Sequence, residues 1–411
     1  MLLGKRIIVG VCGGIAAYKS ADLTSKLQQA GALVDVILTA HATEFVRPLT
    51  FSTVSHRPVY TDLWEPSGQA AAHHIELGSA ADLLVIVPAT ANTIARLAHG
   101  LADDLLTTTA LSSTAPLLIV PAMEQHMYQH PATQANLRVL AERGAVIIPP
   151  ATGHLASGEI GVGRLPETAT IMARVQTLLG KDGDLAGRRV VVTAGGTAEP
   201  IDPVRYIGNR SSGRMGFALA EEARNRGADV TLIVGTVTVP PPEGIAIQQA
   251  TTALAMRDAV VAATADADVL VMAAAVADYR MDQPATEKIK KGSSAENPDG
   301  SLTLHLIRNP DILAELASGA SSTSLIRVGF AAETTDLHQN AIQKLGGKGL
   351  DLLIANDVSK EGSGFGTTTD EVVIYSRDGG AEPLPLLPKT AVAEAIWDRI
   401  VKLLPASPAG L

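Results

Sequence analysis

The sequence predicts an α/β protein built from two doubly wound domains, and three observations carry that expectation. Short β-branched runs alternate with stretches of helical periodicity along the chain. The runs are continuously apolar rather than alternating, as in strands covered by helices on both faces of a sheet. The alternation breaks once, in a polar, turn-rich segment, and then restarts. A chain of 411 residues gives each half enough length to bury its own core.

In the first half the strand-like runs are RIIVGV from Arg6, LVDVIL from Leu33, LLVIV from Leu83, LLIV from Leu117 and AVII from Ala145. Leu23, Leu27 and Ala30 recur at helical spacing between the first two, which is the βαβ rhythm of a parallel sheet. Gly180, Asp182, Gly183, Asp184 and Gly187 mark the break. The expected domains are therefore residues 1–183 and 184–411. The second half runs RVVVTAGGT from Arg189, VTLIV from Val230, VLVMAA from Val269, IRVGFAA from Ile326, DLLIA from Asp351 and EVVIY from Glu371. The polar stretch from Gln283 to Ser301 reads as a mobile loop, and the tail after Leu404 as frayed.

Composition narrows the function. Lys and Arg number 33 against 42 Asp and Glu, a formal charge of -9, whereas nucleic-acid binding usually needs a basic surface. Only 3% of residues are aromatic, so stacking platforms for single-stranded bases are not expected. The single cysteine, Cys12, forbids an internal disulfide and a Cys-rich zinc site, in keeping with a reducing compartment. The apolar run VLVMAAAVA from Val269 is far shorter than a bilayer-spanning helix, and the N-terminus lacks the apolar core of a signal peptide. A cytoplasmic protein with no membrane or nucleic-acid partner is expected.

In open α/β sheets ligands bind beyond the carboxyl ends of the strands. Gly13 and Gly14, in CGGIAAYK, follow the first strand and precede a helix, which suits a tight turn as well as a phosphate cradle. Thr39 ends the second strand, and PATANT places Thr90, Asn92 and Thr93 after the third run. Three strand ends with small polar groups describe a cofactor pocket. A nicotinamide dehydrogenase is the obvious rival, but no G-x-G-x-x-G with an acidic residue about 20 positions on stands in the required context.

GGIAAYK, HIELGSAADLLVIVPATANTIARLAHGLADDLL, PAMEQHM and GHLASGEIGVGRLPE closely resemble the flavin-dependent cysteine decarboxylases. More narrowly, residues 5 to 175 resemble the decarboxylase half of the bifunctional phosphopantothenoylcysteine decarboxylase/phosphopantothenate-cysteine ligase family. The resemblance implies a flavodoxin-like domain holding FMN through Gly14, Ile15, Thr39, Ala89, Thr90 and Asn92, with Gly13 in the same turn. It places the catalytic histidine on His74, where an imidazole suits proton removal near neutral pH. Read alone, a histidine there is a surface or capping residue. The family oxidises the thiol-bearing carbon to a thioaldehyde so that carbon dioxide can leave, then returns the hydride to the enethiol.

Two positions depart from the family pattern. Glu124 stands where most members carry Asn to hold the substrate carboxylate, and two carboxylates repel unless one is protonated or turns away. Ser157 stands where most carry a proton-donating Cys on a flap, and a hydroxyl is a much weaker acid than a thiol with pKa about 8.5. The expectation is that His74-dependent decarboxylation persists with another proton donor, such as Ser157 through water. The alternative is a degenerate flavoprotein scaffold beside an active ligase.

From Val192, VTAGGTAEPIDPVRYIGNRSSGRMGFALA joins a strand end, Gly195 and Gly196, a Pro-stiffened loop and a glycine turn into a helix. Its Arg, Asn and Ser donors have the chemistry to bind phosphates and a carboxylate. MAAAVADYR, EKIKK, NPDIL and GFAAET follow; Lys288, Lys290 and Lys291 read either as a solvated charge run or as an electrophilic clamp. From about residue 186 to 404 these segments resemble the ligase half of the same family, with a Rossmann-like fold. The resemblance implies joining of 4'-phosphopantothenate to cysteine through an acyl-cytidylate made from CTP. By motif, CTP contacts fall on Ala273, Ala274, Asp278, Lys288, Pro310, Asp311, Ile312, Leu313, Phe330, Lys344 and Lys348. Arg205 and Asn209 fall on positions acting on phosphopantothenate and the acyl-cytidylate, and Lys288 on the charge-stabilising position. Mg²⁺ is expected with the triphosphate. The family also implies a homo-oligomer, a dodecamer of decarboxylase trimers and ligase dimers.

Overall fold

The structure is a computed structural model that describes residues 2–64, 73–156, 158–290, 301–318, 325–333, 337–357, 362–364 and 366–405. Ser157, Lys291 and most of the polar loop and tail singled out above therefore lie outside the described residues. The chain divides into two compact units, Met1–Gly180 and Lys181–Leu411.

In chain order the first unit comprises β1 (Arg6–Val11), α1 (Lys19–Gln29), β2 (Leu33–Leu38), α2 (Pro48–Ser55), β3 (Val59–Tyr60), α3 (His73–Ala80), β4 (Leu83–Ala89) and α4 (Ala91–His99). It continues with α5 (Leu105–Ser112), β5 (Leu117–Pro121), α6 (Gln125–Gln129), α7 (Pro131–Glu142), β6 (Val146–Ile147), β7 (Ala151–His154), β8 (Ile160–Arg164) and α8 (Thr168–Gly180). Six strands form a parallel sheet in the order β3-β2-β1-β4-β5-β6. Alternate residues of its central strands enter opposite cores, because successive strand side chains point to opposite faces. Ile7, Val9, Val11, Leu83, Val85 and Val87 pack with Leu23 and Leu27 of α1 on one side. Ile8, Cys12, Leu84 and Ile86 pack with Ile94, Leu105 and Leu106 on the other. This double burial is why the strands read as unbroken apolar runs. The one acidic interruption, Asp35 of β2, is fully buried between Arg6 Nε at 2.7 Å and Arg57 Nε at 2.8 Å.

The second unit comprises β9 (Arg189–Ala194), β10 (Ala198–Pro200), β11 (Tyr206–Gly208), α9 (Arg214–Asn225), β12 (Asp229–Val234), β13 (Ala246–Gln249), α10 (Ala253–Thr264), β14 (Val269–Met272) and β15 (Tyr279–Met281). It ends with β16 (Leu306–Arg308), α11 (Ile312–Ser318), β17 (Ile326–Glu333), α12 (Leu337–Gly347), β18 (Leu352–Asp357), β19 (Thr369–Ser376), β20 (Ala381–Pro388) and α13 (Lys389–Leu403). An eight-stranded sheet runs β13-β12-β9-β14-β17-β18-β19-β20, parallel as far as β18 and antiparallel beyond it. The sequence does not announce β20, since AEPLPLLP carries Pro383, Pro385 and Pro388. An edge strand tolerates prolines that a central strand cannot. Trp397 of α13 is fully buried and its indole N–H donates to the Leu219 carbonyl at 2.9 Å, which fixes α13 against α9.

In both sheets the strand order reverses beside the first strand of the unit, between β1 and β4 and between β9 and β14. Chain connections diverge there, and ligands bind in the resulting crevice outside the carboxyl ends.

Candidate active sites

The first crevice gathers residues from three strand ends. Gly13 and Gly14, adjacent in sequence, have different roles. A Cβ at Gly13 would lie 2.4 Å from His41 Cβ, so this glycine lets the β1–α1 turn pack against the turn after β2. A Cβ at Gly14 would meet nothing within 4 Å, and its φ of -171° is extended backbone. Gly14 thus faces open space at the start of a 3-10 turn over Ile15–Tyr18 that runs into α1. Ile15 stands 63% exposed beside that space. Thr39 opens the turn after β2 and its N–H donates to the Val11 carbonyl at 3.0 Å. Thr90 is the N-cap of α4, accepting from the Thr93 N–H at 3.4 Å, directly after buried Ala89. Asn92, exposed in the first turn of α4, completes the set.

Hydroxyl and amide side chains, helix first turns whose N–H groups have no intrahelical acceptor, and open space at Gly14 suit a phosphate and a polyol chain. The residues present therefore fit a flavin mononucleotide. Cys12 lies beneath this rim, 1% exposed, and burial pushes its thiol up to about 11, although contacts with Thr93 and Thr90 oppose the rise. Such a thiol is neither a nucleophile nor a ready proton donor near neutrality.

His74 is the second residue of α3 and half-buried, and its carbonyl accepts from Ser112 Oγ at 2.8 Å. The preceding His73 instead lies against the Tyr60 ring, with centroids 5.4 Å apart. Glu124 turns its carboxylate onto its own helix. As N-cap of α6 it accepts from the His126 N–H at 2.8 Å and the Met127 N–H at 3.2 Å, and its other oxygen meets His126 Nδ1 at 2.8 Å. The His126 backbone bond leads the contacts that hold the Glu124 carboxyl below its ordinary range. Glu124 accordingly caps α6 as an ionised carboxylate that points onto its own helix.

The β7–β8 hairpin carries position 157 between its strands. On its base, Leu155 N–H donates to Glu159 O at 2.8 Å, and Gly158 N–H to Leu155 O at 3.0 Å. Gly161 and Gly163 let β8 approach the Glu124 loop. A Cβ on Gly163 would fall 2.0 Å from the Met123 carbonyl oxygen, and the Val162 N–H reaches Gln125 Oε1 at 3.2 Å. Neither strand of this hairpin reads as a strand in the sequence, because ATGH and IGVGR carry glycines and are only partly apolar.

The second crevice contains two adjoining clefts. One, of about 640 Å³, is lined by Ser211–Gly216, Ala273–Ala275, Phe330, Asn356, Asp370 and Lys389. The other, of about 880 Å³, is lined by Thr197, Tyr206, Asn209, Thr236 and their neighbours, with Ser211, Ser212 and Gly366 common to both. Of the residues the sequence nominated, Ala273, Ala274 and Phe330 meet in the first cleft and Asn209 lines the second. Asn209 Nδ2 donates to Val276 O at 3.0 Å. Gly213 enters α9 with φ +85°, and Gly216 packs so closely on β9 that a Cβ would sit 2.6 Å from Ala194 Cβ. These are the tight-turn and helix-packing roles that glycines take at the βα junctions of doubly wound sheets.

Arg205 and Lys288 line neither cleft, but they are linked. Arg205 Nε donates to Asp202 at 2.9 Å and its Nη2 to the Ile289 carbonyl at 2.8 Å, while the Ile289 N–H donates to the same Asp202 carboxylate at 3.1 Å. The Arg205 bond is the largest of the effects that hold Asp202 far below the usual carboxylate range. Asp202 is a participant that sequence reasoning missed, although it stands three residues before Arg205.

Asp278 is exposed, and its carbonyl accepts from the Asn309 N–H at 2.8 Å. Asp311 caps α11, accepting from the Ala314 N–H at 3.2 Å, and pairs with Lys348 Nζ at 2.9 Å. Burial would raise the Asp311 carboxyl, but the Lys348 bond and the helix N–H groups more than offset it. Pro310 precedes that cap; Ile312 and Leu313 point into the core, leaving only their backbone for a ligand. Lys344 lies in the last turn of α12, half-buried. Among the described residues no group of three or more His, Cys, Asp or Glu could hold a metal, and no helix is long and apolar enough to cross a membrane.

Two family models match the chain: one described as flavoprotein over residues 1–180, and one described as the DNA/pantothenate metabolism flavoprotein C-terminal domain over residues 185–404. The coenzyme A biosynthesis bifunctional protein CoaBC of Bacillus subtilis is 45% identical over 406 residues, covering 98% of both chains. The CoaBC protein of Escherichia coli K12 is 44% identical over 400 residues, covering 97% of each. A crystal structure of the C-terminal domain of a CoaBC protein is 35% identical and aligns over 54% of this chain and 97% of its own, with a TM-score of 0.45. The chain therefore has a flavoprotein unit followed by a pantothenate-metabolism unit, and it belongs to the family of coenzyme A biosynthesis bifunctional proteins.

Proposed function

We propose that the chain carries out two steps of coenzyme A biosynthesis: the second unit, residues 184–411, ligates 4'-phosphopantothenate to cysteine using CTP, and the first, residues 1–183, decarboxylates the product to 4'-phosphopantetheine. The observation that carries this reading is the similarity to bifunctional relatives through both units, over 98% of the chain. That extent argues against a degenerate first unit that merely scaffolds a ligase.

In the ligase unit a free carboxylate resists attack by an amine until it has a good leaving group. Transfer of the cytidylyl group to the pantothenate carboxylate forms the acyl–phosphate bond and breaks the α–β phosphoanhydride, releasing pyrophosphate. Cysteine nitrogen then displaces CMP. Ala273, Ala274 and Phe330, together in one cleft, support a nucleotide there. Asn209 at the neighbouring cleft has a second amide N–H to offer the activated carbonyl. Lys288 supplies charge to the transfer, on a segment positioned by Asp202 and Arg205. Mg²⁺ enters with the triphosphate, whose charge two or three cations only partly offset.

In the decarboxylase unit Gly13, Gly14, Ile15, Thr39, Ala89, Thr90 and Asn92 hold FMN. When bound, FMN supplies the two-electron sink that lets carbon dioxide leave. An imidazole nitrogen of His74 takes the proton released from the substrate. Glu124, ionised and committed to its helix, holds the loop against which the β7–β8 hairpin packs; Ser157, through water, gives the proton that completes the reduction. Cys12 has no part in proton transfer. We place the enzyme in the cytoplasm, as a homo-oligomer.

The test is direct. Purified protein should be yellow with a flavin spectrum; it should release about one pyrophosphate per site from CTP with 4'-phosphopantothenate alone, and turn over continuously only when cysteine is added. A colourless protein that takes up no FMN and leaves CTP intact would overturn the reading.

A further inference from the structure

The cleft at the β9–β14 crevice holds a buried cation that the two steps above leave without a role. Lys389 is the first residue of α13 and is 7% exposed, yet it lines the cleft. Among the described residues its ammonium donates to the Gly364 carbonyl at 2.9 Å, and the Asp370 carboxylate stands 3.9 Å away, beyond hydrogen-bonding distance. Asp370 is also buried, and its other oxygen accepts from Ser363 Oγ at 2.8 Å, the Gly364 N–H at 3.1 Å and Asn356 Nδ2 at 3.3 Å.

This position is unfavourable for a cation in two ways. Removing an ammonium from water costs several kcal/mol unless its partners are excellent. The first turn of a helix also carries the positive end of the helix dipole, which favours anions over cations. Burial accordingly pushes the Lys389 ammonium below its ordinary range, while Asp370 opposes the shift. Tethering the Gly364 carbonyl needs a single N–H donor, which a neutral amide could supply. An ammonium has three. A second cation, Arg214, lines the same cleft from the first turn of α9, whose N-terminal N–H groups also favour an anion. Asp370 balances one of the two side-chain charges, so the cleft keeps a net positive character.

We infer that Lys389 and Arg214 form a polyphosphate subsite, in which the Lys389 ammonium donates directly to a phosphate oxygen of the nucleotide. The subsite rests on the reading of the second unit as a ligase that consumes a nucleoside triphosphate, and it assigns the phosphate end of that substrate to the α9–α13 side of the cleft. Asp370 is a positioning residue that keeps Lys389 charged while empty and fixes the glycine turn at Gly364.

The experiment is calorimetric titration of the full chain with inorganic tripolyphosphate and, separately, with CMP. Lys389→Met should weaken tripolyphosphate about tenfold or more, as expected for one charge-assisted hydrogen bond, and change CMP affinity less than about twofold. Lys389→Arg should retain most of the tripolyphosphate affinity. A folded Lys389→Met protein that binds tripolyphosphate as tightly as the parent would overturn the subsite, as would a parent that does not bind it. If Lys389→Met loses its cooperative thermal transition, Lys389→Gln decides: its neutral amide can still donate to the Gly364 carbonyl but carries no charge, so it should weaken tripolyphosphate about tenfold or more, and parental binding contradicts the inference. Parent protein that binds tripolyphosphate but releases no pyrophosphate from CTP would sink the ligase reading alone.

Discussion

At the crevice beside its first strand, the first unit presents small neutral groups, whereas the equivalent crevice of the second unit presents charge. Thr39, Thr90, Asn92 and the open face of Gly14 suit a ligand whose own phosphate meets backbone N–H groups. Arg214 and Lys389, only one of them balanced by buried Asp370, suit one with several phosphates to neutralise. The strand order is shared through its first six members, so topology selects where a ligand sits, and side chains at the strand ends select which ligand.

The largest expected effects separate the two chemistries. His74→Asn should lower carbon dioxide release about 100-fold or more, the usual contribution of a general base, while flavin absorbance and pyrophosphate release stay at parental levels. Equal loss in both assays would mean that the units do not act independently. Conversely, Lys288→Gln should slow pyrophosphate release in a single turnover about tenfold or more and weaken CTP binding less than that, because its charge serves chiefly the transition state. Unchanged release would remove Lys288 from the chemistry.

A second pair of changes contrasts two glycines within the first unit. Gly163→Ala should destabilise that unit by about 1–3 kcal/mol in a denaturant titration, since its Cβ would overlap the Met123 carbonyl and its φ is +151°. Gly14→Ala should leave stability unchanged and weaken FMN, measured by fluorescence on reconstitution. Parental FMN affinity in that variant would remove Gly14 from the site.

Smaller effects follow from the two titrating groups near this rim. Cys12, buried with its thiol raised to about 11, should resist iodoacetamide at pH 8 in the native protein and react only on unfolding. Rapid native alkylation would contradict its burial. Glu124 has a depressed pKa, so its stabilisation is complete above the ordinary carboxyl range and is lost as pH falls through its folded-state value. The difference in melting temperature between parent and Glu124→Gln should therefore shrink on acidification; a gap that widens in acid would reverse the assignment.

Much of this was legible in the chain because burial on both faces writes a parallel strand as an apolar run, as in β1, β4 and β14. Strands at edges or in hairpins escaped notice. Prolines disguise β20, and β7 and β8 carry glycines where they approach the Glu124 loop. At the sites, motif resemblance nominated Ala273, Ala274, Phe330 and Asn209, which do line the clefts. It gave no sign of Asp202, which links Arg205 to the Lys288 segment, or of Asp370 and Lys389. Their roles depend on long-range neighbours: Lys389 meets Gly364 across 25 positions, and Asp202 meets Ile289 across 87. Local periodicity and spacing contain no record of such contacts. Nor could the sequence decide between a protonated and a diverted Glu124, since that turns on which way a side chain points at a helix start.

The account's central claim is that one polypeptide performs both steps, and the full product spectrum from 4'-phosphopantothenate, cysteine and CTP tests it most directly. Mass spectrometry of the reaction should find 4'-phosphopantetheine, carbon dioxide, CMP and pyrophosphate in equal amounts. Accumulation of 4'-phosphopantothenoylcysteine without carbon dioxide would contradict the claim for the first unit, and untouched CTP would contradict it for the second.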